Sequence, residues 1–280
     1  MRISLLNIVG VLISVTLIVI GVLEITKTID WVSTLPFVEQ YQFLNLPSFL
    51  IVIGGVLNAV FIMYPDTSVK RMFLSFFFLF SQSRVRPKTL RQDIDQILGW
   101  ANKIKDNRVS ALNELQETED NELARYLFSL MSTNYSSEEI QEFGEISISE
   151  ERNRRMNTVE VLTSMGTSAP AFGMFGTLFG LIVMLGELDS PANLGPGLAA
   201  ALITTLYGIS LAHLIYFPLA KKLKNLAGMQ SFRELLMLEG IIMINDKKSP
   251  FYIQDKLLSY LVRKYQQDEE MGTESSAKAA

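Results

Sequence analysis

Residues Ser168 to Ala220 read "SAPAFGMFGTLFGLIVMLGELDSPANLGPGLAAALITTLYGISLAHLIYFPLA", two long apolar runs around a short polar centre. A membrane helix needs about 20 consecutive, mostly apolar residues to cross roughly 30 Å of hydrocarbon. Both runs meet that length, and the acidic side chains Glu187 and Asp189 lie between them. This stretch therefore predicts a hairpin of two transmembrane helices, from about 170 to 188 and from about 197 to 218.

A second apolar hairpin precedes it near the N-terminus, with predicted spans from about 3 to 25 and from about 47 to 64. The first of these runs follows Arg2 and resembles a signal peptide, but it is longer than a typical signal core. No cleavage site of small residues follows it, so we interpret it as a permanent helix. The predicted fold class is an all-α membrane protein with four transmembrane helices.

The rest of the chain predicts amphipathic helices, because apolar residues recur at helical spacing among charged ones. A break at "STNYSS" precedes another helix, for which Ser137 is the predicted cap. The predicted organisation is a first hairpin over 1–65, a helical region over 66–167, a second hairpin over 168–220 and a helical tail with a disordered end over 221–280.

Basic residues are distributed unevenly around the four spans. Lys27 alone lies between the first two spans, and none lies between the last two. The middle region carries most of the others, and the tail begins with Lys221, Lys222 and Lys224. The positive-inside rule therefore predicts that the N-terminus, the helical region and the tail lie in the cytoplasm.

Several function classes are disfavoured by the composition. The chain has no cysteine, hence no disulfide or thiolate site, and its net charge of −4 gives no sign of nucleic-acid binding. No nucleophile motif, metal cluster or phosphate-binding loop occurs, so we expect neither an enzyme nor a resident metal or cofactor. No ionisable side chain lies at mid-membrane depth: Glu24 and Glu187 lie at helix ends, and His213 lies near the cytoplasmic end of the fourth span.

Small residues and threonines mark the second hairpin. Gly173, Gly176 and Gly180 share one face of the third span, and Gly208 marks the facing side of the fourth, so these faces are predicted helix contacts. Three threonines, Thr177, Thr204 and Thr205, lie at similar depth in an antiparallel hairpin. Their hydroxyls either satisfy carbonyls of their own helices or supply oxygen to a hydrated cation or to a carboxylate of another chain.

Several motifs resemble the A subunit of the flagellar motor stator, the MotA/PomA type within the MotA/TolQ/ExbB family. "LPSFLIVIGGVLNAVFIMYP" from Leu46 to Pro65, with its paired Gly54 and Gly55, resembles the second span of that type. "APAFGMFGTLFGLIVML" and "LGPGLAAALITTLYG" resemble the third and fourth spans, and "YFPLAKKL" resembles the exit of the fourth. "LEGIIMINDKKSPFYIQDKLLSYL" is similar to the cytosolic tail of the flagellar branch.

The resemblance implies an inner-membrane complex in which several A subunits, by family likeness five, surround a dimer of B subunits. Each B subunit would bring one span with an essential aspartate and a peptidoglycan-binding domain, and flow of H⁺ or Na⁺ past the aspartate would turn the ring. Thr177 and Thr205 match threonines of the ion path, with Thr204 beside them. Pro170 and Pro218 match two functionally sensitive prolines, which remove backbone donors and permit hinges.

The resemblance also implies contact with a rotor switch protein through charges of the first cytosolic helix. Lys105 stands where the family has an arginine, and Asn113 stands where it has a glutamate, with Glu114 next to it. Lysine keeps the charge but not the bidentate geometry of arginine. Rotor contact through Lys105, Arg108 and Glu114 is one interpretation, and a merely solvated helix face is the other.

Other classes remain open on the sequence. A TolQ/ExbB-like subunit would energise a periplasmic partner without a flagellum, a defence-type motor would use the same ion flow, and a membrane scaffold would conduct no ion. The sequence does not choose between H⁺ and Na⁺. We expect a multi-pass protein of the bacterial inner membrane, in contact with lipid.

Overall fold

The computed structural model describes residues 5–25, 45–78, 87–186 and 191–260, and all regular secondary structure within these ranges is helical. The helices are α1 (Leu5–Ile25), α2 (Leu46–Met63), α3 (Asp66–Phe78), α4 (Pro87–Asp106), α5 (Arg108–Thr118), α6 (Glu122–Ser132), α7 (Ser137–Gly186), α8 (Pro191–Ser210), a π segment (Leu211–Tyr216), α9 (Phe217–Asn245) and α10 (250–260). The predicted all-α architecture is confirmed.

Three helices within the described ranges are long and apolar enough to cross a membrane. They are α2, α7 and the continuous helix Gly197–Asn245, and α1 contributes a shorter apolar core, Val9–Leu23. With 50 residues, α7 is about 75 Å long, more than twice the hydrocarbon thickness of a bilayer. The helix therefore joins an apolar segment to a long polar one. The count of four spans stays a prediction.

The chain divides into two compact units. The first unit is Met1–Ser83 with Arg155–Asn225, and the second unit is Arg84–Arg154 with Leu226–Ala280. Both apolar hairpins thus fall in the first unit, whereas residues 84–154 of the middle region and the tail from residue 226 build the second. The predicted disordered end of the tail lies outside the described residues.

The second unit has its own hydrophobic core, to which α4, α5, α6, α7, α9 and α10 contribute. Ile97 of α4, Phe128 of α6, Ile140 of α7, Ile241 of α9 and Ile253 of α10 are all fully buried. Of these helices, α4 and α6 are strongly amphipathic, and most of a helix's stability in a protein comes from packing such an apolar face. The polar half of the chain is therefore a folded helical unit.

α7 begins with a reciprocal capping box. The backbone N–H of Glu139 donates to Ser136 Oγ at 3.2 Å, and the N–H of Ser136 donates to Glu139 Oε2 at 2.8 Å. The sequence-based prediction of Ser137 as the cap is wrong by one residue, because the Ser-x-x-Glu spacing that closes the box starts at Ser136. Ser137 is the first residue of the helix.

A buried ion pair joins α4 to α9 within the second unit. The guanidinium of Arg233 donates two hydrogen bonds of 2.6 Å to Asp93, one from Nε to Oδ2 and one from Nη2 to Oδ1. The Asp93 side chain is 4% exposed and that of Arg233 is 30% exposed. The hydrogen bond to Asp93 raises the pKa of Arg233 above its ordinary value, although burial acts in the opposite direction. The guanidinium of Arg233 therefore remains charged at every physiological pH.

Candidate functional site

The third and fourth predicted spans touch backbone to backbone. A methyl group on Gly208 would lie 2.6 Å from the carbonyl oxygen of Ala169 and 3.0 Å from Gly173 Cα. Both distances are shorter than van der Waals contact, so only glycine fits at position 208 without separating the helices. Close approach through small residues is a common way for helices to associate in lipid, where no hydrophobic driving force acts between them.

The same contact continues along α7 toward its C-terminal end. A methyl group on Gly176 would overlap the side chain of Thr204, and one on Gly180 would lie 2.9 Å from Ala201 Cβ. Gly173, Gly176 and Gly180 therefore face α8 of the same chain. The small residues of the two spans pack against each other in an intrachain hairpin.

The paired glycines of α2 contact two different helices. A methyl group on Gly54 would lie 2.9 Å from Ile18 Cγ1 of α1, and also 2.9 Å from the carbonyl oxygen of Ser14. One on Gly55 would overlap the ring of Phe172 in α7. The two hairpins of the first unit are thus joined through adjacent glycines that point in different directions.

Thr204 is a buried structural hydroxyl. Its side chain is completely inaccessible, and Oγ1 lies 2.6 Å from the carbonyl oxygen of Ala200 and 2.9 Å from Ser48 Oγ of α2. Ser48 is also fully buried. The hydroxyl of Thr204 thus satisfies its own helix and ties α8 to α2. Sequence reasoning missed Ser48, although a serine after proline at the start of an apolar span was a visible signal.

Thr177 and Thr205 are half-buried, and their hydroxyls differ from that of Thr204. Thr177 donates to the carbonyl oxygen of Met174 in its own helix at 2.5 Å, which leaves its lone pairs free to accept. The hydroxyl of Thr205 forms no hydrogen bond with any residue in the described ranges. Of the three predicted ion-path threonines, Thr205 has the oxygen most available to an ion, a water or another chain.

The two predicted hinge prolines lie in different backbone environments. Pro170 lies inside α7, which continues through it. Pro218 directly follows the π segment, whose last backbone bond runs from the N–H of Phe217 to the carbonyl oxygen of Ala212. Because Pro218 has no N–H, the α-helical bond at that position is missing, and the helix is wound more widely before it. His213 lies in this segment with an exposed side chain. Sequence reasoning did not foresee the π segment.

The predicted rotor-contact residues are divided between two environments in the second unit. Lys103 Nζ lies 3.1 Å from Glu114 Oε1, so Glu114 is paired within the chain. The guanidinium of Arg108 donates from Nη2 to Asn245 Oδ1 at 2.8 Å. Lys105 and Arg108 line the same cavity, to which Glu114 does not contribute.

Long apolar helices joined through glycines, with buried hydroxyls at the contact, define a helical membrane protein. The model of the MotA/TolQ/ExbB proton channel family matches residues 114–234. The protein YtxD of Bacillus subtilis is 34% identical over 224 residues, which are 79% of this chain and 80% of that protein. Motility protein A of Aquifex aeolicus is 32% identical over 217 residues, 76% of this chain and 84% of that protein.

A solved structure is similar along almost the whole chain. The flagellar MotAB stator complex from Bacillus subtilis matches with a TM-score of 0.72 and 25% identity, over 91% of this chain and 97% of that one. The chain belongs to the MotA/TolQ/ExbB proton channel family, and within it to the MotA type. The family that the motifs predicted is confirmed. The prediction of a membrane protein is confirmed with it, since the family is one of ion channels.

Proposed function

We propose that this chain is the A-type stator subunit of a flagellar motor in the bacterial inner membrane. With a B-type partner it conducts H⁺ or Na⁺ down its gradient and converts the flow into torque on the rotor. The likeness to motility proteins and to a flagellar stator complex supports this role. The main support for the ion path is the hydroxyl of Thr205, which is half-buried and forms no hydrogen bond with any described residue.

The ion-carrying carboxylate belongs to the partner in this proposal. Neither 170–186 nor 197–218 contains an Asp, Glu, Lys or Arg. An ion that crosses hydrocarbon needs a charged or strongly polar group to replace its water, and such groups are costly and kept only for function. A single-span B-type subunit with a membrane aspartate and a peptidoglycan-binding domain supplies it, and the structural match to an AB complex supports that partner. By family likeness, five A subunits surround two B subunits.

The proposed topology has four spans, with both termini and the region 66–167 in the cytoplasm. The distribution of basic residues supports this orientation. This topology places Lys105, Arg108 and Glu114 on the cytoplasmic side of the membrane, where they can contact a rotor switch protein.

The relatives favour the flagellar role over a TolQ/ExbB-like one. The family model covers both branches, but the relative from Aquifex aeolicus is a motility protein and the matching structure is a flagellar stator. The tail motif had already pointed to the flagellar branch. The flagellar role is therefore the one function proposed for this chain.

The ion path is tested by alanine substitution in a motile strain that has no other stator. Thr177→Ala and Thr205→Ala should each reduce swimming speed, because each removes an oxygen from the proposed path. Thr205→Ser should retain most of the speed, since it keeps the hydroxyl. Swimming speed and the amount of stator complex in the membrane are measured together.

Thr167→Ala is the matched control. Its hydroxyl donates to the carbonyl oxygen of Ser164 at 3.0 Å, in the same helix and with the same three-residue spacing as the Thr177 bond. We expect normal swimming. Wild-type speed in both Thr177→Ala and Thr205→Ala would exclude the ion path, and failure of the wild-type chain with its B-type partner to restore swimming would exclude the stator role.

A further inference from the structure

The second unit contains a cavity of about 570 Å³ between α4, α5, the end of α9 and the start of α10. Its inner surface includes Ala101, Ile104 and Ile244, which are buried. Its other lining residues are polar, basic or proline: Lys105, Arg108, Lys247, Lys248, Ser249 and Pro250. Small-molecule sites typically measure about 300–1,000 Å³ and combine an apolar surface with a few converging polar groups. The cavity has both properties.

Four cationic side chains line this cavity, and no carboxylate does. Within the described part of the chain, none of the four forms an ion pair. The carboxylates nearest in sequence are Asp106 and Asp246; neither lines the cavity, and Asp246 already accepts a hydrogen bond from Ser137. The positive charge of the cavity is therefore largely uncompensated by the residues that the structure describes.

Hydrogen bonds hold Arg108, one of the lining residues, in place. Arg108 donates to Asn245 Oδ1 at 2.8 Å, and Asn245 Nδ2 in turn donates to Ser137 Oγ at 3.0 Å. Lys247 occupies the left-handed region, with φ of 58°, in the turn that joins α9 to α10. A turn of this kind at a helix end is a defined geometry rather than a loose loop. The Arg108 guanidinium and the backbone at Lys247 are thus fixed before any ligand binds, whereas the three lysine side chains are exposed.

We propose that this cavity binds a small phosphate-bearing molecule with at least two negative charges. Arg108 keeps guanidinium N–H groups beyond the one bonded to Asn245, and such groups bind phosphate oxygens through short, charge-assisted hydrogen bonds. Lys105, Lys247 and Lys248 supply further donors and charge. A compact anion suits a partly open cavity of this volume better than an extended acidic peptide, which needs a long groove.

The binding itself is independent of the ion path. Its consequence rests on the proposed function, because that function assigns Lys105 and Arg108 to the rotor-facing surface. An anion in the cavity neutralises this surface and weakens its attraction for an acidic partner.

Calorimetric titration of the purified full-length chain in neutral detergent tests the proposal. The probes are ATP and inorganic tripolyphosphate at about 0.1 M salt, where exposed charges are already partly screened. We expect saturable binding with one site per chain. The double variant Lys105→Gln/Lys248→Gln should weaken it about tenfold or more, since it removes two charged donors to the phosphate.

The matched control is Lys221→Gln/Lys222→Gln, which removes the same charge from exposed lysines of α9 outside the cavity. Undiminished binding by this control supports the site, whereas equal loss in both variants shows general electrostatic attraction and overturns it. Absence of binding of both probes at millimolar concentration also overturns it. If a monomeric short-chain phosphatidic acid binds more tightly than ATP and tripolyphosphate, the phosphate belongs to a lipid headgroup. If hexaglutamate binds and neither phosphate probe does, the surface belongs to a protein partner and the proposal is overturned.

Discussion

Two adjacent threonines have different environments in this chain. Thr204 is fully buried and shares a hydrogen-bond network with Ser48, whereas the neighbouring Thr205 is half-buried and unbonded to any described residue. Successive residues of a helix point about 100° apart, so one of the pair faces α2 and the other does not. The same residue type thus serves packing at one position and is open to an ion at the next.

The buried pair Asp93–Arg233 should be a major stabilising contact of the second unit. Asp93→Ala leaves Arg233 without its carboxylate, and removing one partner of a buried pair costs about 3–5 kcal/mol. Because the Arg233 side chain is 30% exposed and recovers some hydration, we expect a loss of about 2–3 kcal/mol in the free energy of unfolding. Thermal unfolding of the purified protein measures the change.

Asp95→Ala is the control for that experiment, since Asp95 lies on the same helix with an exposed side chain. Its substitution should leave the unfolding temperature nearly unchanged. Equal unfolding temperatures for Asp93→Ala and the wild type would show that the pair contributes nothing.

At the scale of the helix, two prolines in apolar segments have different effects. α7 continues through Pro170, whereas Pro218 follows a π segment. Proline disturbs a helix by removing one bond and crowding the preceding turn, and the surrounding packing decides how the backbone accommodates it. Both positions had been predicted as hinges, and only the second shows a local change of helix type.

The contact between α7 and α8 predicts a strong effect of a single methyl group. Gly208→Ala should destabilise the first unit by about 1–3 kcal/mol, because the new atom meets backbone that cannot move aside without separating the helices. The temperature of unfolding and the yield of assembled membrane complex should both fall.

Gly228→Ala provides the comparison on α9. A methyl group there meets nothing within 4 Å, and alanine is favoured over glycine in a helix by about 1 kcal/mol. We expect unchanged or slightly increased stability. A Gly208→Ala protein as stable as Gly228→Ala would contradict the close backbone contact.

For the whole molecule, the proposed function predicts that the chain conducts no ion alone. Residues 170–186 and 197–218 contain no Asp, Glu, Lys or Arg, so expression without a B-type partner should leave cytoplasmic pH and sodium unchanged. Co-expression with the partner should raise the inward flow of either H⁺ or Na⁺, and the ion whose flow rises is the coupling ion. Replacing the membrane aspartate of the partner by asparagine should abolish that flow, and conduction by the chain alone would refute a carboxylate supplied in trans.

Much of the architecture was predictable because local patterns specify it. Long apolar runs and amphipathic periodicity predicted the helices, and spaced motifs predicted the family. The α7 cap was missed by one residue, because Ser136 and Ser137 are both good caps and only the reciprocal bond with Glu139 separates them. The basic cavity was not foreseen, because it depends on groups from distant parts of the chain whose relative position is not a local property.

The sequence by itself determined the helical class, the apolar hairpins and the family, since hydrophobic spacing and glycine positions act over a few turns of helix. Only the tertiary structure decided which threonine is packed and which is open, and that Lys105 and Arg108 meet Lys247 and Lys248 around one cavity. The physical reason is distance along the chain. Contacts between residues more than a hundred positions apart depend on how whole helices pack, and no local pattern encodes that arrangement.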